Sequence, residues 1–85
     1  MFIDIHASIA HTNCEPGIWN EVINSDHVQS MVLESGYFAI HFINRESRIF
    51  KFETNAYNND TFMKVYSAIS EALRGGKDCN LVLYP

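Results

Sequence analysis

Asp60-Thr-Phe-Met-Lys-Val-Tyr-Ser-Ala-Ile-Ser-Glu-Ala-Leu-Arg-Gly-Gly76 is the stretch that sets the architecture. Phe62, Val65, Tyr66, Ile69, Ala72 and Leu73 recur every three or four residues, which puts an apolar stripe down one side of a helix over 60–74. Asn59 or Asp60 is placed to cap the first turn by accepting a bond from a free backbone N–H. Gly75-Gly76 ends the helix, since glycine reaches left-handed geometry at little steric cost, and Arg74 suits the negative end of the helix dipole.

Upstream of this helix the apolar pattern has period two. In residues 2–9, Ile3, Ile5, Ala7 and Ile9 share one face and Phe2, Asp4, His6 and Ser8 the other, as in a half-buried strand. The turn formers of His11-Thr-Asn-Cys-Glu-Pro-Gly17 close it. A short apolar stretch from Ile18 and Trp19 to Ile23 is a weaker strand, and Asn24-Ser-Asp26 is a turn with Asx chemistry available. Residues 28–34 and 37–44 then form a hairpin across Glu34-Ser-Gly36. Asn44-Arg-Glu-Ser47 turns the chain into Arg48–Thr54, where Phe50 and Phe52 mark a single buried face and complete a meander. Beyond the helix, Cys79–Tyr84 suits a last strand and, at the end of the order, an edge. The order ββββαβ, with the weak strand as a fifth, predicts an α+β domain over 1–85: one antiparallel sheet of four to five strands with one helix on one face. A six-residue stripe cannot cover both sides of such a sheet, so the other face is left to meet water, a loop or another molecule.

An apolar fraction of 47% with eleven aromatics in 85 residues supports a real core without staples. The opening Met1-Phe-Ile-Asp-Ile lacks the basic region and continuous apolar run of a secretory signal, and no stretch approaches the roughly eighteen apolar residues of a membrane span. The expectation is a cytoplasmic protein without membrane contact. In a reducing compartment Cys14 and Cys79 are expected as free thiols rather than a disulfide.

Charge is unevenly placed. Residues 1–44 hold five acids, Asp4, Glu15, Glu21, Asp26 and Glu34, and no lysine or arginine; the six bases fall between Arg45 and Lys77 among the other five acids. At a net charge of −4 and without a basic stripe, direct nucleic-acid binding is not expected. An acidic surface favours basic partners, chiefly by steering their approach.

The chemistry-bearing residues form no recognised motif. His6, His11 and Cys14 lie close together but lack the paired cysteines or helical histidine pair of a zinc site, so neither metal nor cofactor is expected. A thiolate at Cys14 would need a positive neighbour, whereas Glu15 follows it directly and the nearest base is Arg45. The four glycines sit at turns and a helix end rather than in a phosphate loop. His41, mid-strand among aromatics, reads as a hydrogen-bonded structural residue. No enzymatic activity is expected.

What remains is a binding surface. Trp19 and Tyr57 are the aromatics flanked by polar or turn residues, and with Glu15, Glu21, Asp26 and Glu34 they make the candidate partner-binding set. In size, acidity, single α+β unit and absence of motifs the chain resembles the small phage-encoded inhibitors of bacterial defence, among them the anti-CRISPR proteins. That resemblance, one of overall character along the whole chain, implies docking on a basic surface of a larger nucleic-acid-handling complex and blocking its site or its assembly. The charge density is lower than a full mimic of nucleic acid would carry. The alternatives are a homodimer or larger homo-oligomer formed through the uncovered face or the 79–84 edge, and a small Cys/His metal or thiol protein.

Overall fold

The strand made by Phe2–Ile9 (β1) is the centre of the molecule, and its odd residues explain why. Ile3, Ile5 and Ala7 are fully buried and Ile9 nearly so, while the even positions face outward. In the computed structural model, which describes residues 1–9, 17–52 and 56–83, β1 is flanked by antiparallel Gly17–Asn24 (β2) and by Cys79–Leu83 (β6), the latter parallel to it. The weak second strand is therefore a full eight-residue partner.

The meander forms as expected, but as a sheet of its own. Val28–Glu34 (β3), Tyr37–Phe42 (β4) and Arg48–Lys51 (β5) pair antiparallel in chain order. The hairpin between β3 and β4 turns on Gly36, whose φ of 77° suits glycine at a tight turn. The expected single antiparallel sheet is thus corrected to two three-stranded sheets, β2-β1-β6 and β3-β4-β5. Alternation tells which way each side chain points and is silent on which strand lies alongside. The division falls at a short 3₁₀ turn, Ser25–His27, where Asn24 Oδ1 accepts from the Asp26 N–H at 3.0 Å. Buried Ser25 donates its N–H to the Met1 carbonyl at 2.9 Å, which ties this turn to the start of β1 and sends β3 off into a second layer.

The helix (α1, Ala56–Leu73) starts three residues before Asn59 and four before Asp60, the two expected caps. Asn59 and Asp60 occupy helical positions, and Asp60 pairs with Lys64 one turn later at 2.8 Å. Asparagine is a weak helix former rather than a breaker, so the polar lead-in is drawn into a helix anchored by its buried face. At the other end the Gly76 N–H bonds to the Glu71 carbonyl and the Gly75 N–H to that of Ala72, with Gly75 at φ 87°. This is the glycine-closed helix end that the sequence promised.

The helix lies against β1, β3, β6 and the 3₁₀ turn. Phe62, Val65, Ile69 and Ala72 are buried, whereas Leu73 is half exposed and Tyr66 sits at the rim, so the working stripe is narrower than the sequence pattern. The core lies where both sheets meet the helix, around a ring cluster: Phe62 contacts Phe38 and Phe50 at 5.3 Å and Phe52 at 4.6 Å between centroids. Phe62 touches no solvent. Replacing it by alanine leaves a cavity bordered by three rings, and Phe62→Ala is expected to lower unfolding free energy by about 3–5 kcal/mol in urea titrations of the purified protein.

Candidate functional site

Two constellations of polar side chains stand out, one facing the interior and one facing water. On β2 the inward residues are Trp19, Glu21 and Ile23, opposite Ala7, Ile5 and Ile3. A carboxylate is thereby placed on an apolar face, with a side chain only 7% exposed. Burying it is tolerable only with partners. Trp19 Nε1 donates to Glu21 Oε1 at 2.7 Å and Arg48 Nε to the same oxygen at 2.9 Å. Arg45 brings Nη2 to 2.7 Å from Oε2 as a charge contact, although Oε2 has no hydrogen-bond donor. The Arg45 guanidinium also lies 4.0 Å over the Phe42 ring, a cation–π placement that holds it over the carboxylate.

This cluster joins the two sheets, since Glu21 belongs to β2, Arg48 to β5 and Arg45 to the loop before it. Trp19 reinforces the link by packing on Phe50 of β5 at 4.6 Å. Burial opposes ionisation of Glu21, but the hydrogen bonds from Arg48 and Trp19 and the charges of both arginines outweigh it and hold the carboxyl below its usual range.

The second constellation is on the outer face of the first sheet. His6 on β1 pairs in register with Asn20 on β2, and its Nδ1 meets Asn20 Oδ1 at 2.8 Å while Nε2 meets Asp4 Oδ1 at 2.9 Å. Both ring nitrogens thus face oxygen acceptors, an arrangement that favours the doubly protonated imidazolium. The hydrogen bond to Asn20, then that to Asp4, raises the His6 pKa above 6.5. Around this group the face is apolar and open: Phe2, Ile18, Val22 and Val82 are each 54–60% exposed. No lysine or arginine occurs in β1, β2 or β6. Asp78, just before β6, accepts from the Phe2 N–H at 2.9 Å and Asp26 follows the Ser25 contact with Met1, so two further acids border the same end.

Among the described residues, the candidate set from sequence is dispersed by this arrangement. Trp19 and Glu21 do come together, but in the interior: Trp19 is 7% exposed, and Glu21 is neutralised by Arg45 and Arg48. Neither is available to a partner. Asp26, in the 3₁₀ turn before β3, and Glu34, at the far end of β3, are both exposed and lie apart. Tyr57 lies in the first turn of α1, and Glu15, with His11 and Cys14, falls outside the described residues. Sequence reasoning missed Asn20, Val22 and Val82 as members of one face. The signal was present in the parity of residues 18–23, yet Ile18 and Val22 on one parity and Trp19 and Ile23 on the other are all apolar, so periodicity could not choose the inner side.

His41 is hydrogen-bonded, its Nδ1 2.7 Å from Ser47 Oγ, as its strand position suggested. Among the described residues no three His, Cys, Asp or Glu side chains converge as a metal site, and no helix is long and apolar enough to cross a membrane. Comparison with known protein families, curated proteins and solved structures gives no match, so any functional reading rests on the residues of this chain.

Two titrations check the constellations. A carboxyl whose folded pKa is depressed contributes stability above its ordinary value of 4.5 and loses it as pH falls through the lower folded value. Glu21→Gln is therefore expected to cost about 1–2 kcal/mol at neutral pH, because the charged hydrogen bonds from Trp19 and Arg48 are weakened while the half-exposed arginines remain solvated. It should also weaken the acid-side decline of stability seen in urea midpoints below pH 4.5. For His6 the sign is opposite: its raised pKa favours the folded state below 6.5, and the advantage fades as pH rises through the folded value. Proton NMR of the imidazole should show His6 titrating above 6.5 in the native chain and lower in both Asn20→Ala and Asp4→Asn.

Proposed function

We propose that this protein is a non-enzymatic binding module that presents the outer face of the β2-β1-β6 sheet to a basic surface on a larger protein. The observation that carries the reading is the composition of that face: four half-exposed apolar side chains, Phe2, Ile18, Val22 and Val82, around Asp4, on three strands without lysine or arginine. Isolated exposed apolar residues are ordinary on any protein surface, but a group of them sharing one sheet face and rimmed by polar residues is a feature of interaction sites. Asp4, Asp26 and Asp78 give such a site a negative border that would steer a basic partner and set its orientation.

This reading keeps the charge asymmetry of the sequence but moves its location. Glu21, spent on the interior, is replaced by Asp4 and Asp78, and Trp19 by the smaller aliphatic residues of the outer face. The resemblance to phage-encoded inhibitors of bacterial defence points to a nucleic-acid-handling complex as the partner and to inhibition as the consequence. A largely aliphatic centre argues for occlusion of a protein surface rather than imitation of phosphates.

Affinity capture from a bacterial lysate with native and variant chains tests the reading. A basic protein should be retained at low salt, its association slowed as salt rises. Ile18→Lys/Val22→Lys and Asp4→Lys should each weaken its retention by about tenfold or more with the fold intact. A protein retained equally by all three chains would place the contact elsewhere.

A further inference from the structure

Four strands of this molecule have one side without a hydrogen-bonded neighbour among the described residues: β2 and β6 in one sheet, β3 and β5 in the other. Such edges invite strand addition, and folded proteins blunt them with inward charges, bulges, short length or basic side chains. Three of the four carry such a device. β2 holds the inward Glu21 with Arg45 and Arg48 reaching over to it. β3 has a register shift between Val28 and Ser30, and β5 is four residues long with Arg48 and Lys51 at its ends. β6 is also short, but Cys79-Asn-Leu-Val-Leu83 has no charge and no proline, and all five residues pair with β1 without a break in register.

We infer that β6 is a dimerisation edge and that its partner is the β6 of a second copy, added antiparallel about a two-fold axis at Leu81. The two sheets then join into one of six strands, β2-β1-β6 continued by β6-β1-β2 of the second copy. A two-fold is the closed solution: each chain uses once the one edge left unguarded among the described residues, and that edge is not carried forward to a third copy. In this register Cys79 lies beside Leu83 of the second copy and Asn80 beside its Val82. Every β6 residue brought together is uncharged, and Asp78, just before β6, falls at the two ends of the seam rather than within it. Leu81 and Leu83, partly buried against the core, gain apolar neighbours on the inner side, and Val82, 57% exposed, gains them on the outer side. The inference stands apart from the proposed partner, although a dimer of this form would place two copies of the Asp4 face side by side.

Light scattering after size exclusion, run over a dilution series, should give twice the 9.7 kDa chain mass at high concentration and a shift toward the monomer on dilution. Asn80→Lys/Val82→Lys puts four lysines around the axis at outward-facing positions and should yield a monomer with an unchanged far-ultraviolet circular dichroism spectrum. Ile18→Lys/Val22→Lys, on the same face but on the far strand, should remain dimeric. Amide exchange on the native chain gives a reading that needs no variant: β6 amides not bonded to β1 should be protected when concentrated and exchange on dilution. A native chain that is monomeric throughout, a dimer that survives the lysines on β6, or one abolished by those on β2 would each overturn the inference.

Discussion

Neither three-stranded sheet can remove its apolar face from water by itself, and the helix presents a stripe too narrow to cover both. The constraint that organises this protein is therefore the mutual burial of three incomplete surfaces. Phe62 meets it from the helix, in contact with Phe38 and Phe50 of one sheet and with Phe52 beyond it, while β1 supplies the fully buried Ile3, Ile5 and Ala7 from the other. Burial of large rings is the main favourable term available to an 85-residue chain. The order of strands in each sheet follows from which edges can reach this centre.

The Glu21 cluster adds specificity to that non-directional attraction. Apolar faces tolerate sliding, whereas a buried carboxylate bonded by Trp19 and Arg48 and charge-paired with Arg45 admits few alternative alignments. Such an arrangement contributes little net stability compared with an apolar replacement of the same shape, because desolvation offsets much of the attraction. Its effect is to select one placement of β2 against β5 and to put an inward charge on an edge strand. The acid that a linear reading assigns to the surface is thus a fixture of the interior, and the outer side of the same strand becomes the more open one.

That exchange also bears on function. With Glu21 matched by arginines and Asp60 by Lys64, Asp4 is the acid left on the outer side of β1, with Asp26 and Asp78 at its border, while Glu34, Glu46 and Glu71 lie on other parts of the molecule. His6 shares the outer side of β1 with Asp4. Held between Asn20 and Asp4, it tempers the charge of Asp4 when protonated and leaves it stronger when not, so the face grows more acidic as pH rises.

Much of the secondary structure was legible in the chain itself. Strict alternation in residues 2–9 exposes the buried isoleucines, the recurrence of Phe62, Val65, Ile69 and Ala72 marks the inner side of the helix, and Gly75-Gly76 announces its end, because each of these depends only on neighbours in sequence. The α+β class follows from them, and so does the concentration of bases after residue 44. Which strands became neighbours was decided by tertiary structure: β6 returns parallel to β1, and the meander separates into its own sheet, since pairing partners are chosen by how distant apolar faces can be buried together. The same holds for the candidate surface. Trp19 and Glu21 look exposed beside Asn20, yet they turn inward because Arg45 and Arg48, some two dozen positions further along, arrive to neutralise the acid, and no local pattern encodes that meeting.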